Sequence, residues 1–199
     1  KKAEQKCLVD RACFVKGMEK VAYAVAKEEK MLTYMCILLE SWKNRMRFSA
    51  GSGGRFAIFA FDSDSLKIAD EETKILFPCT NISNIIRVFK ASSQSSIRVR
   101  TIEQDSSNKI PEQIVLESGN ITLALYGTEP FTKFPNVDDV FNHNHSYSIS
   151  TRVRDWKSAI EAIKASRRSH EDNIHNTDVI ADLIRGDFLI KPRTQMQTN

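Results

Sequence analysis

The sequence predicts an α+β fold, mostly antiparallel sheet with two helices on one face of each domain. Three observations carry that expectation. The element order runs strand, helix, several strands, helix, several strands, and then begins again, which is the order of segregated layers. Arg45 to Ala50 alternates with a period of two, whereas three stretches switch to the helical period. Finally, the chain repeats itself at an offset of 142 residues. Phe14, Met18, Glu19 and Val21 fall on Trp156, Ile160, Glu161 and Ile163. Without a gap, Ile37, Leu38, Glu40, Trp42, Lys43, Met46 and Phe48 fall on Val179, Ile180, Asp182, Ile184, Arg185, Phe188 and Ile190. A repeat of this length identifies architecture ahead of any local motif. It divides the chain into a complete domain over 1–142 and the first part of a second, incomplete one over 143–199.

Taken in order, Cys7 to Asp10 reads as a strand and Ala12 to Ala26 as a helix, with Phe14, Met18, Val21 and Val25 on one face. Lys16, Lys20 and Lys27 fall on the opposite face, with Tyr23 among them. Leu32 to Ser41 is a largely apolar strand, followed by a turn at Trp42-Lys43-Asn44. Arg45 to Ala50 alternates as a strand with one wet face should. Gly51 to Gly54 breaks it, and Arg55 to Phe61 resumes. Asp62 to Thr73 is a polar loop or hairpin arm, and Lys74 to Phe77 a short strand ended by Pro78. Thr80 or Asn81 can cap a second helix whose buried stripe is Ile82, Ile85, Ile86 and Phe89. Strands follow over Ser96–Glu103, Gln113–Glu117 and Ile121–Tyr126, the last two joined by a hairpin turn at Ser118-Gly119-Asn120. Glu129 to Asn144 reads as an extended loop, Tyr147 to Thr151 as a strand and Arg154 to Arg167 as a helix. Asp178 to Ile190 reads as a hairpin turning at Arg185-Gly186-Asp187.

Composition narrows the function. The 199 residues are 41% apolar and 27% charged, with a formal net charge of only +4, so any affinity for nucleic acid must come from where the charges sit. Cys7, Cys13, Cys36 and Cys79 form no CxxC pair and read as reduced core thiols. No apolar run approaches the roughly 18 residues that span a bilayer, and Lys1 to Lys6 lacks the apolar stretch of a signal peptide. A cytoplasmic location is therefore expected, with the sequons at Asn81, Asn120 and Asn144 unmodified.

Catalytic patterns fail on context. His143-Asn144-His145 has the letters of a nuclease motif but precedes a strand, without the ββα-metal setting. His170 and His175 with Asp172 read as a polar linker, and Asp62/Asp64 and Asp138/Asp139 lack an acid–base partner nearby in sequence. The glycine cluster lacks the Lys-Ser/Thr of a phosphate-binding loop. The expectation is no catalytic residue, no metal and no cofactor.

Several segments, in this order, resemble the bacterial DNA polymerase III β-subunit family, the sliding clamps. Ala50-Gly51-Ser52-Gly53-Gly54-Arg55-Phe56-Ala57 is similar to a family segment reading Ala-Thr-Asp-Gly-His-Arg-Leu-Ala. Ile75-Leu76-Phe77-Pro78 before a helix, and Glu117-Ser118-Gly119-Asn120 before an apolar strand, are similar to the family's mid-domain helix opening and penultimate hairpin. Phe134-Pro135-Asn136-Val137-Asp138-Asp139-Val140 looks like the Phe-Pro-Asp-Tyr segment that closes a domain. Two departures stand out: the Asp and His of the glycine turn are missing, and Val137 replaces the Tyr. The resemblance covers nearly all of the first unit and fades in the second, as in a divergent or truncated member.

The resemblance implies a DNA-clamp-like fold and a processivity factor that encircles double-stranded DNA, without chemistry of its own. Lys16, Lys20, Lys27, Lys30, Arg87 and Lys90 would line the hole, continued by Lys157, Lys164 and Arg168 in the second unit. Such contacts go to phosphates, because a sliding ring must not prefer a sequence. A shallow pocket for short peptide motifs of DNA polymerase and clamp-loader subunits would be formed by Tyr34, Gly51, Gly53, Gly54, Arg55 and Phe56, with Pro135 and Val140. Self-association into a ring is implied, and no membrane partner. The alternative is a non-ring α+β interaction module, derived from a clamp domain, that binds protein or DNA statically.

Overall fold

Asp10 ends the first strand, β1 (Glu4–Asp10), and opens the first helix, α1 (Arg11–Val21): its side-chain oxygen accepts from the Cys13 amide at 2.9 Å, satisfying one of the helix's orphan donors. The structure, a computed structural model, describes residues 4–27, 32–52, 55–64, 66–68, 72–79, 82–103, 111–127, 134–141, 150–167, 177–182 and 187–192, with the backbone path alone from 163 onward. The chain forms two compact units, Lys1–His143 and Asn144–Asn199.

In the first unit α1 gives way to a 3-10 turn at Ala22–Ala24, and a second 3-10 turn at Leu32–Met35 leads into β2 (Cys36–Trp42). There follow β3 (Arg45–Ser52), β4 (Arg55–Asp62), the two-residue β5 (Lys67–Ile68) and β6 (Glu72–Pro78). Helix α2 (Ile82–Lys90), strands β7 (Ser96–Glu103), β8 (Pro111–Ser118) and β9 (Ile121–Tyr126), and the short helix α3 (Val137–Phe141) complete the unit. Two antiparallel sheets result, one in the order β4-β3-β2-β6 and one in the order β5-β1-β7-β8-β9. The fold is α+β, as expected.

One core joins both sheets and both helices. Phe14 and Met18 of α1, Ile85 and Phe89 of α2, Ile37 and Leu39 of β2, Phe48 of β3, and Val99 and Leu116 of the larger sheet are all buried in it. Phe14 stands edge-on to Phe48, Phe77 and Phe89 at ring-centroid distances of 5.6, 6.2 and 6.3 Å, the arrangement that ring quadrupoles favour. Gly17 lets α1 approach this closely: a Cβ there would lie 2.4 Å from the Phe48 ring. A glycine in mid-helix costs about 1 kcal/mol of propensity, so the close approach explains its presence.

A smaller apolar cluster lies on the other face of the four-stranded sheet. Cys36, Leu38 and Leu76 are buried there beneath Phe134 and Val137 of the closing segment, with Phe56 and Ile58 packed beside them. This explains why Cys36 to Leu39 of β2 reads as an apolar run without alternation: that part of the strand is covered on both faces.

Local differences from the sequence reading have local causes. Leu32–Met35 is a 3-10 turn, so β2 starts four residues later than expected. Trp42 belongs to β2, paired with Arg45, and the turn is confined to Lys43, at φ 53°, and Asn44. The stretch 62–73, expected as a loop or a hairpin arm, contains the short β5 and the start of β6, and the expected loop over 129–144 contains α3. The β8–β9 turn is as expected, with Ser118 paired to Ile121 and Gly119 at φ 63°, where glycine alone is unstrained.

The second unit comprises α4 (Val153–Arg167) and an antiparallel hairpin of β10 (Thr177–Asp182) and β11 (Asp187–Pro192). Helix α4 begins 142 residues after α1, and β11 begins 142 residues after β3. The repeat is nevertheless not register-perfect. An unbroken offset from Leu38↔Ser49 would pair Ile180 with Lys191, whereas Ile180 pairs with Leu189. A shift of two residues keeps each side chain on its face of the ladder, which is why the apolar pattern concealed it. Asp182 pairs with Asp187, so Asp187, expected in the turn, is a residue of β11, while Arg185 and Gly186 lie outside the described residues. Ser150 and Thr151, expected to end a strand, are outside any strand.

Candidate nucleic-acid and peptide-docking surfaces

The apolar side of α1 faces the core, which leaves Lys16, Glu19, Lys20 and Tyr23 on the exposed side. Ser83, Asn84, Arg87 and Lys90 form the exposed side of α2. The two helices are joined directly. The Arg11 guanidinium donates to the carbonyls of Lys90 at 2.9 Å and Phe89 at 3.4 Å, placing a cation at the C-terminus of α2, where the helix dipole favours it. Lys90 also forms an ion pair with Glu19. The Lys16 ammonium lies 5.8 Å from the Phe59 ring centroid, and Arg87 donates to Asn84 at 3.3 Å.

This face carries Lys16, Lys20, Arg87 and Lys90 against the single carboxylate of Glu19. Glu19 was not among the residues expected on this face. Lys27 is exposed but lies beyond both α1 and its 3-10 extension, so the continuous helical stripe ends at Lys20. In the second unit Lys157 is exposed on α4, 3.9 Å from Glu161. Lys164 lies within α4, its side chain undescribed, and Lys30 and Arg168 fall outside the described residues.

The residues proposed for a peptide pocket divide into two groups. Gly51 and Phe56 are cross-strand partners, and a Cβ at Gly51 would lie 2.4 Å from the Phe56 ring, which therefore rests on bare backbone. The Phe56 ring centroid is 5.9 Å from that of Phe134 and 5.7 Å from that of Phe141. Pro135 and Val140 belong to the same closing segment, with Val140 and Phe141 exposed. Together these make a shallow apolar surface at the sheet edge.

Arg55 points elsewhere. As the residue before Phe56 it projects to the opposite face of β4, donates to the Ser52 hydroxyl at 3.2 Å, and lines a recess of about 480 Å³ with Tyr23, Lys27, Met35 and Ser83. Tyr34 lies in the second 3-10 turn, its carbonyl accepting from the Ala26 amide at 2.9 Å. Gly53 and Gly54 fall outside the described residues.

A third surface escaped the sequence reading. Beside the apolar cluster, the outer face of the four-stranded sheet turns polar and opens into a groove of about 1170 Å³. At its base Arg47 donates to Glu40 and to Asp138, both at 2.7 Å, so α3 is tied to the sheet through an ion triad. Lys74 reaches Glu72 at 2.9 Å and Glu40 at 3.6 Å. Burial works against the Arg47 charge, but its bonds to Glu40 and Asp138 prevail and raise its pKa; Lys74 is raised by Glu72 despite some burial, with help from Glu40. Trp42 carries the guanidinium carbons of Arg45 and Arg47 at 5.8 and 5.3 Å from its ring. The spacing of two in Glu40-x-Trp42 and Arg45-x-Arg47 was the available signal, since such residues share a sheet face.

Among the described residues no group of three His, Cys, Asp or Glu could hold a metal ion, and no helix is long and apolar enough to cross a membrane. His143, His145, His170, Asp172 and His175 lie outside the described residues. None of the four cysteines is in a disulfide. Burial pushes the Cys7 thiol up to about 12, against the pull of Ser41, and raises Cys79 as well.

No protein-family model matches the sequence, and a search of curated proteins finds no match. Solved structures do match. The chain superimposes on the DNA polymerase III β subunit of Thermotoga maritima with a TM-score of 0.69 at 16% identity, over 94% of this chain and 49% of that one. For the Pseudomonas aeruginosa DNA polymerase III subunit β the values are 0.65 and 14%, over 82% and 42%. For the Streptococcus pneumoniae DNA polymerase III β chain they are 0.58 and 15%, over 89% and 45%. The chain thus has the fold of the DNA polymerase III β subunits, the sliding clamps, and spans less than half the length of each of these three.

Proposed function

We propose that this chain acts as a sliding clamp, a processivity factor that encloses duplex DNA and tethers a polymerase without catalysing a reaction. Residues 1–142 are one clamp-like domain, and 143–199 the first part of another. The observation that carries this reading is the division of α1 and α2 into an apolar side sunk in the core and an outward side bearing Lys16, Lys20, Arg87 and Lys90. Flexible cations on rigid helices grip phosphates without reading bases. Lys27, Lys30, Lys157, Lys164 and Arg168 extend this lining. The Glu19–Lys90 ion pair weakens the field locally.

The Gly51–Phe56 edge, with Pro135, Val140 and Phe141, receives short apolar motifs of polymerase and clamp-loader subunits in the cytoplasm. The rings of Phe56 and Phe141 supply the contact area that anchor residues need. Self-association closes the ring.

The test is topological. The protein, loaded with its own host's clamp loader, should stay on a nicked circular plasmid through a high-salt wash and slide off once the plasmid is linearised. Replacing Lys16, Lys20 and Arg87 together by Gln should shorten retention on the circle. Equal, salt-sensitive binding to linear and circular DNA would replace this proposal with the static module.

A further inference from the structure

The groove over Glu40 and Trp42 has a composition that the helix-face and pocket readings leave unused. By strand register, one face of the four-stranded sheet presents Phe56 and Ile58, then Ala60 and Asp62, along β4, and Gly51, Ser49, Arg47 and Arg45 along β3. The same face carries Leu38, Glu40 and Trp42 along β2, beside Leu76, Lys74 and Glu72 along β6. Its first half is apolar and lies beneath the closing segment; its second half is charged and open. Asp138 stands on the boundary, one residue after buried Val137 and bonded to Arg47.

We infer that this groove binds an acidic stretch of peptide continuing from the motif docked at Phe56. The inference rests on the peptide-docking reading above and names what flanks the docked motif. Three physical points favour this occupant. Five cations line the groove against three carboxylates, and buried Glu40 is already engaged by Arg47 and Lys74. Lys43, Arg45 and Lys67 stand exposed at the rim, where they can meet added carboxylates. Arg45 is held against the Trp42 ring, and a stacked guanidinium keeps its in-plane N–H groups for a bidentate carboxylate. Its present partner, Asp62, is 3.7 Å away across an exposed pair, a contact readily exchanged.

Single-stranded nucleic acid fits less well. Glu72 and Asp138 have exposed side chains in the groove and would repel a phosphate chain. The indole on which a base would stack already carries two guanidinium groups.

The test uses the full chain and fluorescent peptides bearing one apolar docking motif followed by four Glu or by four Gln, together with a motif-free deca-Glu peptide and oligo-dT. At low ionic strength the Glu-tailed peptide should bind about tenfold tighter than the Gln-tailed one, a margin that falls with added salt. In the triple variant Lys43→Gln, Arg45→Gln, Lys67→Gln that margin should vanish while Gln-tailed binding is unchanged. Because all three side chains are exposed, an unaltered thermal melt should confirm the fold. Binding of the motif with no tail advantage would overturn the groove and leave the docking reading intact. If neither tailed peptide bound, the docking reading would fail; deca-Glu binding that the triple variant abolishes would then still uphold the groove, and its absence would sink both. Tighter binding of oligo-dT than of the Glu-tailed peptide, lost in the same variant, would also overturn the proposal.

Discussion

Strands β2 and β9 occupy opposite situations in the same domain. Six of the seven residues of β2 are buried, including Glu40 and Ser41, whereas β9 alternates half-buried Ile121, Leu123 and Leu125 with exposed Thr122, Ala124 and Tyr126. Helices cover one face of β2 and the closing segment covers the Cys36–Leu38 end of the other; β9 has a single covered face and, among the described residues, pairs only with β8. Residue type therefore reports how many layers lie over a strand as much as whether a strand exists. Glu40, at the base of the groove beyond that cover, can be buried in the sheet only because Arg47 and Lys74 are there to pair with it.

Substitutions should separate the two sheets by size of effect. Phe48→Ala removes the ring beneath Gly17 and Phe14, and should cost about 3–5 kcal/mol in urea unfolding. Glu40→Ala leaves Arg47 and Lys74 without their shared carboxylate in a poorly solvated site, so about 2–3 kcal/mol should be lost, reduced by the surviving bond to Asp138. In the five-stranded sheet the counterpart Glu117→Ala breaks more exposed contacts to Arg98 and Arg100 and should cost about 0.5 kcal/mol.

Gly17→Ala sets helix propensity against packing. The gain of about 1 kcal/mol expected for an exposed helix should become a net loss of about 1–2 kcal/mol, because Phe48 cannot retreat. Leu123→Ala on the half-covered β9 should cost only about 1 kcal/mol. Thiol labelling extends the contrast without mutation. Burial raises the pKa of all three thiols, but of Cys7 and Cys79 far more than of half-buried Cys13, and it also shields those two from reagent. At pH 8 Cys13 should therefore react with a maleimide well before Cys7 and Cys79, as mass spectrometry of the labelled peptides would show.

How much of this was legible follows from the range of each interaction. The α1 stripe of Phe14, Met18 and Val21 announces its buried side because helical period and core contact are local facts. The alternation of Arg45, Met46, Arg47 and Phe48 does the same for β3. The closing helix α3 was not legible: five residues are too few for a period, and it is held by Val137 packed over Leu38 and by Asp138 on Arg47, 91 positions away. The family resemblance puts Arg55 in the pocket, although strand alternation alone sends it to the face opposite Phe56. Glu19 was passed over because its partner, Lys90, lies on the other helix. The hairpin slip in the second unit was invisible because two residues is one full pleat.

The clasp between Arg11 and the last carbonyls of α2 has a mechanical consequence. Two helices some seventy residues apart in the chain are fastened where one begins and the other ends. A sideways push on either should be shared by both, so the pair behaves as a stiff strut rather than as two independent levers.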